Sequence, residues 1–168
     1  MQPFLVNLDS LDEHARYARE EELRLGLRVN PEVTPDTIPS LATGKKHSKF
    51  GTSIAERQAI IDLFCADTRL VGLHVHTSSN SRALSPLVEG VRKVVALADE
   101  INERRNAKNM APVDTIDIGG GLPLDVPEDP QLSVEHYAAL LREHVPSLFA
   151  NYRIVTEFGR YYHFKAGA

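Results

Sequence analysis

The chain has 168 residues, 42% of them hydrophobic and 25% charged, which fits one globular domain with a sizeable core. A net charge of −4 excludes the basic footprint of a nucleic-acid or anionic-membrane partner, and no apolar run is long enough to span a bilayer. The N-terminal MQPFLVNLDS lacks a signal-peptide pattern, and the single cysteine, Cys65 in IIDLFCAD, leaves no internal disulfide and reads as a buried structural thiol, so the cytoplasm is the expected compartment.

Strand and helix patterns alternate along the chain. PFLVN (3–7) is a short apolar strand, and Asp9-Ser10 offers a cap for a helix over SLDEHARYAREEE (10–22). LRLGLRVN (23–30) alternates as a strand and is stopped by Pro31. Residues 31–52 form a long loop rich in Pro, Thr, Ser and Lys. SIAERQAIIDLFCAD (53–67) is an amphipathic helix, with Ser53 and Glu56 as a capping box. RLVGLHVH (69–76) is a strand, and SPLVEGVRKVVALADEINERR (85–105) is a long helix with apolar residues at helical spacing. VDTIDIG (113–119) is a strand, SVEHYAALLREHVPSLF (133–149) a helix, and YRIVTEF (152–158) the last strand.

Five strands joined by helices in strict alternation imply a parallel sheet with right-handed crossovers. Two architectures fit: an open doubly wound sheet, or part of a (β/α)8 barrel. Five βα units cannot close an eight-stranded barrel. In either case the working face lies at the C-terminal ends of the strands. Those ends carry Arg28 and Asn30, His74 and His76 with Ser78 and Ser79, Asp117 with Gly119, Gly120 and Gly121, and Glu157 with Arg160. The polar chemistry therefore gathers on one face.

Each of these groups has a plain reading and a functional one. Gly119–Gly121 follows a strand directly, and successive N–H groups in such a turn can converge on a phosphate; otherwise it is a tight turn. It is neither G-x-G-x-x-G nor a Walker loop. Glu157 and Arg160 are either a structural ion pair or a carboxylate aimed at a protonated ring nitrogen beside an arginine fork for phosphate. Glu157 is expected to be buried, since it closes an apolar strand. His74 and His76 share a strand face. They are a metal pair, with Asp117 or Glu157 completing the ligands, or one core and one ring-stacking histidine, the reading favoured here. Lys49, in HSKFG, sits in a packed turn or on the rim of a site.

The segments LRVNPEV, SKFG, GLHVHTSS, IDIGGGLP and TEFGRYY, in this order and spacing, resemble the fold-type-III pyridoxal-phosphate decarboxylases. Those enzymes act on ornithine, arginine and diaminopimelate. LRVNPEV with SKFG is closer to the diaminopimelate branch. The resemblance runs from about Phe4 to Tyr162. It implies an alanine-racemase-like, TIM-type barrel, an α/β fold of which this chain forms the C-terminal part as a single domain. It implies pyridoxal 5'-phosphate as cofactor, an amino-acid substrate and a homodimer. By the same resemblance His76 stacks on the pyridine ring, Ser79 binds the phosphate, and the Gly119–Gly121 turn surrounds it with Arg160 alongside. Glu157 holds the ring nitrogen protonated, and His76 and Glu157 are the catalytic positions. No metal is implied. The glycines would then make room for the cofactor's phosphate.

Departures from the family are part of the same reading. The lysine that carries the cofactor in the family sits on the first barrel strand, and none of Lys45, Lys46, Lys49, Lys93, Lys108 and Lys165 matches it. The first strands and the C-terminal β-domain are expected to be absent, which would leave this chain inert or nearly so by itself. Ser78 stands where glycine is usual, and Phe158 where the family has proline, which removes a φ restraint beside Glu157. Three rivals remain: a non-catalytic relative that binds or regulates a decarboxylase, a metal-dependent barrel hydrolase using His74 and His76, and a racemase sharing the cofactor.

Overall fold

A computed structural model describes residues 4–33, 48–79, 81, 83–123 and 132–163. The strands are β1 (Val6–Leu8), β2 (Leu25–Asn30), β3 (Thr52–Ser53), β4 (Leu70–His74), β5 (Thr115–Asp117) and β6 (Arg153–Val155). The helices are α1 (Arg57–Phe64), α2 (Ser85–Ala107), α3 (Val134–His144), α4 (Pro146–Asn151) and α5 (Gly159–His163). The sheet order is β1-β2-β4-β5-β6, with β3 paired to β2 off this path, and every pairing is parallel. A doubly wound sheet reverses its order near the middle. This one advances in a single direction, so it is the arc of a barrel, not closed among the described strands.

The core lies between this arc and its helices. Strand residues Leu25, Leu27, Leu70, Leu73 and Ile116 are fully buried, as their near-continuous apolar runs require of parallel strands. Helix α2 lays Leu87, Val91, Val94, Leu97, Ala98 and Ile101 onto them. These positions recur at three- and four-residue spacing, and each buried large aliphatic side chain contributes about 1.5–3 kcal/mol. Pro86 opens the helix, where its missing N–H costs nothing.

Several elements are shorter than the sequence pattern suggests. The expected helix at 10–22 is only a 3₁₀ turn, Asp12–Tyr17, with no buried residue. It lacks a continuous apolar stripe and runs into Glu20, Glu21 and Glu22; partly buried Leu11 and Tyr17, with the His14–Asp67 pair and the Arg69 bond to the Tyr17 carbonyl, tie it to the rest of the fold. The helix at 133–149 is two helices. Pro146 cannot donate to the preceding turn, and the chain restarts there as α4. Ser53 caps its helix by accepting from the Ala55 N–H at 3.0 Å, yet among the described residues its acidic partner is Glu32, 2.5 Å away, rather than Glu56. The long loop ends in β3, whose pairing to Val29 and Asn30 the loop composition did not signal; residues 34–47 of that loop lie outside the described residues.

The N-terminal end of the sheet is closed by arginines. Arg105 is fully buried on α2 and donates to the carbonyls of Phe64 (2.9 and 2.6 Å), Asp67 (2.8 Å) and Ala111 (3.0 Å). Phe64 ends α1, so its carbonyl has no partner within the helix, and Arg105 supplies one. Arg24 grips Asp114 at 2.8 and 3.0 Å, and Asp67 is shared by Arg69 and His14. No described helix is long and apolar enough to cross a membrane.

Candidate functional site

Register builds the site. Arg28 on β2 pairs with His74 on β4, and His74 pairs with Asp117 on β5. Three adjacent strands thus deliver a cation, an imidazole and a carboxylate at one height, at their C-terminal ends. Asn7 of β1 joins them, its Nδ2 donating to Asp117 Oδ2 at 2.9 Å. The other Asp117 oxygen accepts the Gly119 N–H at 2.9 Å. Asp117 is therefore committed to shaping the glycine turn. Asp9 holds Arg28 at 3.2 Å and accepts the Gly51 N–H at 3.2 Å, with the Phe50 ring 5.0 Å from the guanidinium. Lys49 lies at 5.1 Å from the same ring on the outside, so the SKFG turn braces Arg28.

Glu157 faces both histidines. Its Oε2 is 3.5 Å from His76 Nδ1 and 3.8 Å from His74 Nε2. The His76 contact, opposed by partial burial and helped by the charges of His74 and Arg28, holds the Glu157 carboxyl below its ordinary range. The expected burial of Glu157 is not found: its side chain is 44% exposed. Strand pairing stops at Val155, and the next apolar residue, Phe158, turns into the core instead, 6.3 Å from the Tyr137 ring. Phe158 thus anchors the turn that the family's proline would stiffen. No Glu157–Arg160 ion pair forms among the described residues; both groups open onto the same space. His74 is 7% exposed and neither ring nitrogen has a hydrogen-bond partner. Desolvation is the main force lowering its pKa, against the pull of Asp117 and Glu157.

The glycine turn has a cause that the sequence pattern assigned to a ligand. A Cβ on Gly119 would lie 2.3 Å from the Val75 carbonyl oxygen, on Gly120 2.7 Å from that of Glu157, and on Gly121 2.1 Å from that of Ser78. Gly119 and Gly121 also hold φ of +66° and +94°, where only glycine is unstrained. The neighbouring backbone itself forbids the side chains. Two of the amides are turned inward, Gly119 to Asp117 and Gly120 to His76 Nδ1 at 3.3 Å. The carbonyl of Gly119 takes the Glu157 N–H and that of Gly121 the Ser81 N–H. The turn is the knot that ties β4, β5 and the segment after β6 together. Ser78, in place of a usual glycine, is fully buried with its hydroxyl unpartnered.

Beside this knot lies a cavity of about 150 Å³. His76, Ser79, Gly121, Glu157 and Arg160 line it, with Leu122, Phe158 and Tyr161 as its apolar wall. Five of the seven expected positions therefore meet around one space, while Gly119 and Gly120, in the turn that leads into Gly121, are not among its lining residues. No described lysine reaches it: Lys93 is bound to the Pro31 carbonyl at 2.9 Å. Sequence reasoning missed Asn7 and Asp9 as supports of the site, and placed Arg28 on the working face without a role. A signal was present, since Asn7 is a polar residue inside the apolar run FLVNL.

Residues 4–163 match the family model described as the pyridoxal-binding domain of pyridoxal-dependent decarboxylases. A diaminopimelate decarboxylase of Aquifex aeolicus is 34% identical over 143 residues, covering 83% of this chain and 32% of the relative. A mutant diaminopimelate decarboxylase of Helicobacter pylori, solved with L-lysine, superposes with a TM-score of 0.75 at 23% identity, over 94% of this chain and 40% of that one. The lysine/ornithine decarboxylase of Vibrio vulnificus, solved with putrescine, gives 0.65 at 21% identity, over 94% and 38%. The chain spans about a third of the length of the curated relatives it matches. The diaminopimelate branch that the motifs favoured is the branch of these sequence relatives.

Proposed function

The chain belongs to the pyridoxal-dependent decarboxylase family through its pyridoxal-binding domain, and from that premise we propose that it forms the C-terminal part of the cofactor-binding barrel of an amino-acid decarboxylase. The substrate class is diaminopimelate or a related basic amino acid, the reaction loss of the α-carboxylate as CO2. The carrying observation is the single cavity on which Ser79, Gly121, Arg160, His76 and Glu157 converge.

The donor set fits pyridoxal phosphate. Ser79, Arg160 and Gly121 bring a hydroxyl, a guanidinium and backbone to the cavity, suited to a dianionic phosphate. Glu157 brings an anionic carboxylate to the same cavity, suited to a protonated pyridine nitrogen. Bound pyridoxal phosphate supplies the electron sink for carbon–carboxylate cleavage. Glu157 keeps its charge because His76 and the Arg28 field favour the ionised form, and a carboxylate that stays ionised holds a proton on the nitrogen opposite it. His76 limits where a flat ring can lie, and Leu122, Phe158 and Tyr161 keep water from one side of it. Half-exposed Glu157 and exposed Arg160 leave the cavity open on one side, which supports a second subunit closing it, as in the homodimer implied by the resemblance. The unpaired Cys65 fits a reducing, cytoplasmic setting.

Titration of the chain with pyridoxal phosphate, followed by absorbance with and without borohydride, tests this reading. Binding at the cavity should weaken about tenfold in Arg160→Ala and in Glu157→Gln, the scale of one hydrogen bond to a charged group. Equal affinity in the wild type and both variants would sink the assignment. A borohydride-stable bond to a cavity lysine would show that the lysine role lies in this chain.

A further inference from the structure

The described residues hold one cluster with the makings of a metal site, and it overlaps the proposed cofactor cavity. His74 and His76 stand two positions apart where β4 ends, and Glu157 reaches them from the turn after β6. One donor atom from each lies within 4.8 Å of the others. Two imidazoles and one carboxylate are a set that zinc uses, with a fourth position left for water. His74 is the telling member. Its ring is more than nine-tenths buried, both nitrogens lack partners, and one of them is 3.8 Å from the Glu157 carboxylate. A buried polar group without a partner needs an explanation, and the pyridoxal reading gives His74 no role.

We propose that in the absence of pyridoxal phosphate His74, His76 and Glu157 bind a divalent transition-metal ion of the zinc class, and that this ion and the cofactor exclude one another. Zinc bonds of about 2.0–2.2 Å bring tetrahedral donors to roughly 3.4 Å from one another. The two separations measured from Glu157 Oε2, 3.5 and 3.8 Å, are already close to that. Glu157 and His76, 44% and 21% exposed, can adjust onto the fixed His74 ring. The long Gly120 N–H contact to His76 Nδ1 is given up in the process. Arg28 opposes a dication here and Asp117 favours it, since both face His74 from the adjoining strands. The exclusion, which alone rests on the cofactor reading, follows because Glu157 and His76 cannot serve metal and pyridine ring together.

Cobalt(II) is the probe, because its visible absorbance reports bound nitrogen and oxygen ligands. The whole chain, freed of cofactor, should take up one cobalt with a visible band. His74→Gln should lose at least tenfold in cobalt affinity while still binding 4-deoxypyridoxine 5'-phosphate, an aldehyde-free analogue that does not chelate. Glu157→Gln, at a half-exposed position where folding is not at stake, should weaken cobalt as well. Zinc should raise the apparent Kd of the analogue for the wild type and leave it unchanged for His74→Gln. Absence of the band, or wild-type cobalt affinity in both variants, would overturn the metal site. Simultaneous binding of zinc and analogue would overturn the exclusion while leaving the cofactor reading intact. Failure of the analogue to bind the metal-free chain would overturn the exclusion together with that reading, with cobalt and the two variants still judging the metal site.

Discussion

At the N-terminal end of the sheet, Arg105 spends its guanidinium on three backbone carbonyls, and Asp67 is clasped by Arg69 and His14. At the C-terminal end, His74 is buried at 7% exposure and has no hydrogen-bond partner for either nitrogen. Six buried side-chain polar atoms are orphaned among the described residues, and only Arg24 Nε lies at the N-terminal end. Both ends bury polar groups at similar depth. One end satisfies them and the other does not. A buried donor or acceptor left unmade costs about 1–3 kcal/mol, so the C-terminal end carries a standing penalty that a ligand can remove. The difference separates a region organised for folding from one organised for binding.

The contrast can be broken most sharply at Arg105. Arg105→Met keeps the aliphatic bulk and strands the carbonyls of Phe64, Asp67 and Ala111, so unfolding in urea should show a loss of about 4 kcal/mol. Little change would mean that the N-terminal network is ornamental. Gly121→Ala comes next. Its Cβ meets the Ser78 carbonyl at 2.1 Å with φ at +94°, and a loss of about 3 kcal/mol is expected, together with loss of pyridoxal phosphate binding. Ligand loss at unchanged stability would instead favour the steric role for a phosphate that the sequence pattern suggested.

The smallest effect has the opposite sign. His74→Leu replaces an unsatisfied ring with apolar bulk and should stabilise the chain by about 1 kcal/mol. Its pH dependence sharpens the point. The folded-state pKa of His74 is below its ordinary value of 6.5, so below that value the unfolded chain binds the proton more readily. Stability is therefore full above 6.5 and falls as pH drops toward the folded pKa. His74→Leu should flatten that fall. A variant as acid-sensitive as the wild type would show that His74 is not the group responsible.

Much of this was legible in the residues. Parallel strands followed from strict alternation, and the residues that line the cavity from reading what stands at strand ends. Other features depend on contacts between distant segments. Glu157 looked buried because an apolar run leads into it, but the partner strand ends first and Phe158 takes the buried place. The three glycines were read as room for a ligand, because a local pattern cannot reveal that carbonyls from Val75, Ser78 and Glu157 press on them. Arg28 was placed on the working face from its position, but the bracing by Asp9 and Phe50 was not legible there. The doubly wound alternative fell only when neighbouring strands were known.

The register that aligns Arg28, His74 and Asp117 also limits how this site can drift in sequence. Point substitutions can alter the row one column at a time, changing charge or polarity while the geometry stands. An inserted or deleted residue within β2, β4 or β5 does something else: it turns every side chain beyond it to the opposite face. Length variation among natural versions of this sequence should therefore fall outside these three strands, and engineers who wish to regraft the site have freedom of residue there but none of spacing.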